Sequence, residues 1–204
     1  MSTLIHEELH AITDQPSEFF YDKAIFRVGY EIQEVSIPRP ENGLNEPTVK
    51  RTWLAFNEGL TELIRDQIFE EYLRRNKNAD RYLLLGEAEA YISERFFVNE
   101  IIKKTAELSG VSEDVVFEAF VQAYFSNSSL LKKDIEEALN GIGGTELVES
   151  MNLEDKSGSI EAAILERLDS AYSTNNEDEV SKIHINKRKL VVDKCSSVLR
   201  RNIV

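Results

Sequence analysis

The chain has 204 residues, 42% hydrophobic and 30% charged, ordinary globular usage at a length that buries roughly 70% of the unfolded surface, so neither wholesale disorder nor a membrane protein fits. Its 24 basic against 37 acidic residues leave a net charge of −13, which repels nucleic acid and anionic membrane at long range. Apolar runs such as Tyr82 to Leu85 fall far short of a bilayer span. The start MSTLIHEELH is acidic where a signal peptide needs basic residues, and the single Cys195 permits neither an internal disulfide nor a thiolate zinc site. A cytoplasmic protein is expected.

Leu4 to Ile12 is a short amphipathic stretch, broken at Asp14-Gln15-Pro16, after which Pro16, Ser17 and Glu18 read as a helix start. The aromatic cluster Phe19, Phe20 and Tyr21 is expected to anchor this arm. From Ile25 to Ile37, Phe26, Val28, Tyr30 and Ile32 alternate with polar or small residues, the period of a half-buried strand. The prolines Pro38 and Pro40 with Asn42-Gly43 require a loop.

After Pro47 the apolar residues Val49, Trp53, Phe56, Leu60, Ile64 and Phe69 recur at helical spacing and predict a long amphipathic helix ending near Arg75. A second is predicted from a cap at Asp80 to Leu108, with Gly86 as a kink, a third from Ser112 to Tyr124, and a fourth from Ser129 to Leu139, closed by Gly141. Gly141 to Ser159 is poor in large apolar side chains and reads as a linker. Beyond it come a helix from Ile160 to Tyr172, a hairpin around Asn186-Lys187 and a last helix from Ser196 to Arg201.

This predicts a mainly α, α+β chain: an arm with a short strand at 1–45, a helical core at 46–141, a linker at 142–159, and a C-terminal helix, hairpin and basic tail at 160–204. Residues 181–204 carry a net of +6, leaving −19 on the first 180. Docking of that tail on the protein's own acidic face or on an acidic partner is the favoured reading. The sharper one is contact with nucleic acid or a partner through Lys187, Arg188, Lys189, Arg200 and Arg201.

His6-Glu7-Glu8-Leu9-His10 spells H-E-x-x-H. On a helix His6 and His10 share a face where both imidazoles can bind zinc, while Glu7 serves as base toward a water on the metal. The segment resembles the zinc metalloprotease signature, and departs from it in carrying a charge at Glu8 and in having no upstream strand to form a cleft. A third ligand is needed. The candidates are His184 and a downstream glutamate such as Glu31 or Glu34.

Between Ile102 and Val121, Ala106, Gly110, Val111-Ser112 and Val116 stand at the spacings of a helix-turn-helix. The segment resembles the DNA-binding helix-turn-helix family. Its outward positions would be Ser112, Glu113, Asp114, Phe117 and Glu118, with no lysine or arginine between Val111 and Leu131, so carboxylates would face phosphates. A helix-turn-helix or winged-helix scaffold turned to protein contacts is the reading preferred. Small acidic winged-helix proteins resemble the accessory subunits that bind the closing subunits of chromosome-organising ATPase complexes.

Paired acids such as Glu70-Glu71 and Glu136-Glu137 are expected on solvated faces. The function expected first is therefore a non-enzymatic accessory or adaptor subunit of an intracellular multiprotein complex. Its partners would be other protein subunits, with nucleic acid reached indirectly or through the tail, and no membrane; no catalytic residue, cofactor or metal is assigned. The alternatives are a zinc-dependent hydrolase using the N-terminal motif and nucleic-acid binding through the basic tail.

Overall fold

The computed structural model describes residues 2–13, 17–39, 46–77, 91–126 and 128–141, together with the helical residues 192–194, 196, 198 and 199. It is mainly helical with one small sheet, the α+β class the sequence predicts. Helix α1 (Ser2–Thr13) precedes strands β1 (Glu18–Phe19), β2 (Lys23–Val28), β3 (Glu31–Ser36) and β4 (Val49–Thr52). Helices α2 (Leu54–Arg75), α3 (Ile92–Ser109), α4 (Glu113–Phe125) and α5 (Ser129–Gly141) follow.

The strands form an antiparallel meander in chain order. The predicted single strand over 25–37 is in fact a hairpin: Val28 pairs with Glu31 across a two-residue turn at Gly29-Tyr30. The alternation continues in sequence through the turn, but the register sets Ile32 opposite Arg27 and Phe26 opposite Gln33, so the apolar residues of the two strands face opposite sides of the sheet. Gly29 has φ 56°, and a Cβ there would collide with Asn57 Oδ1 and the Tyr124 ring, so only glycine closes this turn against the helices.

That turn inserts the sheet into the helical core. Tyr30 N–H donates to Asn57 Oδ1 at 2.9 Å and its hydroxyl donates to the Phe120 carbonyl at 3.0 Å. Its ring meets Trp53 and Phe56 at centroid distances of 6.0 and 5.2 Å. Leu9 of α1 and Tyr30 share one apolar cluster with Phe56, Leu60, Ile101, Phe120 and Ile135. The neighbouring aromatics Phe19, Phe20 and Tyr21, expected to anchor the arm, are exposed. Phe19 lies on, and Phe20 beside, a two-residue edge strand.

Two predicted helix starts are corrected, that at Pro16-Ser17-Glu18, where Glu18 instead opens β1, and that after Pro47; the second predicted helix is interrupted at Tyr91. Val49 belongs to β4, because Trp53 takes a left-handed backbone, φ 64°, and only then does α2 begin. Tyr91 does the same, φ 58°, so α3 starts at Ile92; Asp80 and Gly86 lie outside the described residues. Helix α2 is central, buried at every residue from Ala55 to Glu62. Gly59 permits this, since a Cβ there would strike the Glu94 backbone carbonyl of α3.

The unit α3-turn-α4 forms as its spacing predicts. Gly110 adopts the left-handed C-cap, φ 67°, Ser112 caps α4 by accepting from the Val115 N–H at 3.4 Å, and Ala106 and Val116 are buried. Glu113, Asp114 and Glu118 face solvent. Val192, placed in the hairpin by sequence, is helical; the rest of that hairpin, the linker and the 160–172 helix lie outside the described residues.

Lys132 of α5 is an uncompensated group. Its Nζ is inaccessible and has no hydrogen-bond partner among the described residues. Burial, and then the positive charge of Arg27, push its pKa from 10.5 down to about 8. Unfolded chains therefore hold the extra proton between about pH 8 and 10.5, so stability rises with pH across that window, while below it the buried charge carries its full cost. Lys132→Met is expected to stabilise the protein at pH 7 by about 1–2 kcal/mol, allowing for partial exposure. At pH 10.5 most of that gain should vanish; urea melts at both pH values check it.

Candidate metal centre

Helix α1 presents His6 and His10 one turn apart, and α2 presents Glu58 and Glu62 with the same spacing, so two i,i+4 pairs meet across the helix interface. His6 Nε2 lies 3.0 Å from His10 Nε2 and 3.2 Å from Glu58 Oε2, and His10 Nε2 lies 3.4 Å from the same carboxylate oxygen. These edges match the donor separations of roughly 3.3 Å in a tetrahedral site with zinc–ligand bonds of about 2.0–2.1 Å. His6, His10 and Glu58 are the only such cluster among the described residues.

The remaining polar atoms are arranged behind the donors. His6 Nδ1–H donates to Glu62 Oε1 at 2.7 Å, and Glu62 Oε2 forms an ion pair with Arg65 Nη1 at 2.5 Å without a hydrogen bond among the described residues. Arg65 reaches on to Asp66 at 2.9 Å, and Asp66 also pairs with Arg95 of α3. His6, Glu62 and Arg65 are all buried. A carboxylate on the far nitrogen fixes the tautomer and turns Nε2 toward the ligand position.

Electrostatics favour a cation at this point. Burial alone would push His6 down, yet the hydrogen bonds and charges of Glu58 and Glu62 outweigh it and hold the imidazole up at about 9. Burial would raise Glu58, but His10 and His6 hold it down at about 2. With Nδ1–H committed to Glu62, the His6 Nε2 lone pair would face a carboxylate oxygen unless a second proton or a metal cation stands between them. The Tyr91 ring stacks on His6 at 5.3 Å and 4°.

The donors open into a cavity of about 260 Å³. Glu7 lines it beside the histidines, and Gln33 and Arg51 of β3 and β4 line it with Tyr91. The sheet that supplies the wall thus follows the H-E-x-x-H segment instead of preceding it. Glu31, one proposed third ligand, lines the same cavity but is bound to Arg51 and to Gln33 Nε2, the latter at 2.9 Å. Glu34, the other, pairs with Lys23 at 3.1 Å. Glu58 takes the position instead.

His184, Lys187, Arg188, Lys189, Arg200 and Arg201 lie outside the described residues. From the basic C-terminal stretch, Lys194 pairs with Asp134 and Glu137 of α5 at 3.1 and 2.5 Å, docking on the protein's own acidic face.

Glu62→Gln keeps the volume and still accepts from His6, but weakens the charge behind the imidazole. It is expected to lower zinc affinity roughly 10–100-fold, measured by competition with a chromogenic chelator. No family model, curated protein or solved structure matches this chain.

Proposed function

We propose that the protein is a zinc-dependent hydrolase whose metal ligands are His6, His10 and Glu58 and whose general base is Glu7. The observation that carries this reading is the convergence of the three donor atoms within 3.0–3.4 Å of one another, at a cavity that Glu7 also lines. It ranks above the non-enzymatic reading that the sequence alone puts first.

His6, His10 and Glu58 would hold the zinc, which would supply Lewis acidity toward a carbonyl and a water molecule. The chain's residues do the rest. Glu7 takes a proton from water as its oxygen bonds to the substrate carbonyl carbon. The same carboxyl then gives that proton to the departing nitrogen or oxygen as the carbon–nitrogen or carbon–oxygen bond breaks, so the proton count closes. Tyr91, whose hydroxyl pKa is raised by burial and by Glu58, stays protonated and offers a hydrogen-bond donor.

Glu7→Gln is expected to retain one zinc per chain and to lower kcat on amide or ester substrates at least 100-fold. Metal analysis and turnover of p-nitrophenyl acetate check the two halves. Two imidazoles and one carboxylate also suit non-haem iron, so recovery of stoichiometric iron in place of zinc would overturn the reading, as would equal turnover by the metal-free protein.

A second reading, the accessory subunit, is supported by a groove of about 1050 Å³ between α2, α3 and α4. Leu63, Ile102 and Phe117 line it with Glu70, Glu113 and Asp114, an apolar floor with an acidic rim suited to a protein partner. Stoichiometric co-purification that survives nuclease treatment and is lost in Phe117→Lys supports it; retention in that variant would count against it.

A further inference from the structure

The guanidinium of Arg51 lines the metal cavity but has no part in the hydrolytic scheme. Arg51 sits on β4 directly across from Gln33 of β3, and its Nε–H donates to Glu31 Oε1, the oxygen that Gln33 also reaches. Glu31 is buried. The arginine is therefore held from behind by an anchored carboxylate that uses the Nε edge of the fork. No other hydrogen bond or ion pair of the guanidinium occurs among the described residues, though the Glu58 charge also acts on it, and the side chain is 44% exposed.

A guanidinium fixed in direction, with its terminal nitrogens free, fits two oxygens of a planar or tetrahedral oxyanion. Its setting narrows the ligand further. Val28 is the single aliphatic side chain on the cavity, against Glu7, Glu31, Gln33 and Arg51. At about 260 Å³ the space falls below the roughly 300–1,000 Å³ of drug-sized sites. A compact polar molecule fits.

We propose that Arg51 binds the oxyanion head group, carboxylate or phosphate, of a small polar substrate, and so determines specificity at this site. The inference rests on the hydrolase reading for its substrate, but the anion site is testable by itself. Zinc content is measured first. N-acetylglycine, inorganic phosphate and the neutral N-acetylglycinamide are then titrated calorimetrically into the zinc-loaded protein, Arg51→Lys and Arg51→Met.

The expected result is binding of at least one anion and not of the amide, weakened tenfold or more in Arg51→Met and less in Arg51→Lys, with zinc content unchanged. Which anion binds tells a carboxylate substrate from a phosphate one. Because Arg51→Met strands the Glu31 carboxylate, the paired variant Glu31→Gln/Arg51→Met supplies a folded control without that charge. Equal anion affinity in this variant and the parent, or no anion binding at all, overturns the proposal. A chain that binds anions through Arg51 but holds no zinc would sink the hydrolase reading and leave the anion site standing.

Discussion

His10→Ala is expected to weaken zinc binding at least a hundredfold and to abolish the stabilisation that zinc confers. His10 is the more accessible of the two imidazoles, with a side chain 18% exposed against 7% for His6, so its loss removes a ligand with little disturbance of the core. In the parent, zinc at 100 times its dissociation constant should raise stability by about 2.7 kcal/mol, because only the folded chain brings α1 and α2 together. Glu58→Ala should match it in affinity, since either change leaves two donors where tetrahedral zinc needs three protein ligands. Thermal melts with and without added zinc, beside chelator competition, measure both quantities. A His10→Ala protein that zinc still stabilises as in the parent would remove His10 from the ligand set.

Phe56→Ala is expected to cost about 3–5 kcal/mol. The side chain is fully buried, with ring contacts at 5.2 Å to Tyr30, 5.5 Å to Trp53 and 5.5 Å to Phe120. It thus joins the hairpin turn, the start of α2 and α4, and Phe56→Leu should recover part of the loss by filling some of the cavity. Urea denaturation of the metal-free proteins separates this packing effect from ligation. Zinc should still bind whatever fraction of Phe56→Ala remains folded, as Phe56 is not among the proposed donors.

The helices were legible because their signal repeats. Apolar residues recur along α2, α3, α4 and α5, and the Gly110 and Ser112 caps bound the turn between two of them. Boundaries failed where backbone conformation contradicts residue type. Bulky aromatics at positive φ, Trp53 and Tyr91, are uncommon and leave no mark in a sequence, so α2 was read as starting too early and the break at Tyr91 was missed. The hairpin was hidden because the even-numbered apolar alternation continues in sequence across Gly29-Tyr30, although the register puts Phe26 and Ile32 on opposite faces of the sheet.

The site was half legible. His6, Glu7 and His10 are local and spell themselves out, but the third ligand depends on which glutamate the fold brings to α1. Part of a signal was present: Glu58 and Glu62 repeat the four-residue spacing of the histidines, but they lie across α2 from the stripe of Phe56, Leu60 and Ile64, and they are enclosed because α2 is buried on every side from Ala55 to Glu62. Carboxylates at buried positions need partners, unlike Glu70, which is exposed, and Glu71, which pairs with Arg74 and Arg75 near the end of α2. The role proposed for Arg51 was invisible for another reason, since it rests on cross-strand pairing with β3.

The most direct test is zinc K-edge X-ray absorption on the chain loaded with one equivalent of zinc. Scattering from two imidazoles and one carboxylate, with one imidazole lost in His10→Ala and the oxygen shell altered in Glu58→Ala, is the predicted result. A spectrum without imidazole scattering, or a chain that returns from dialysis free of zinc, would contradict the account.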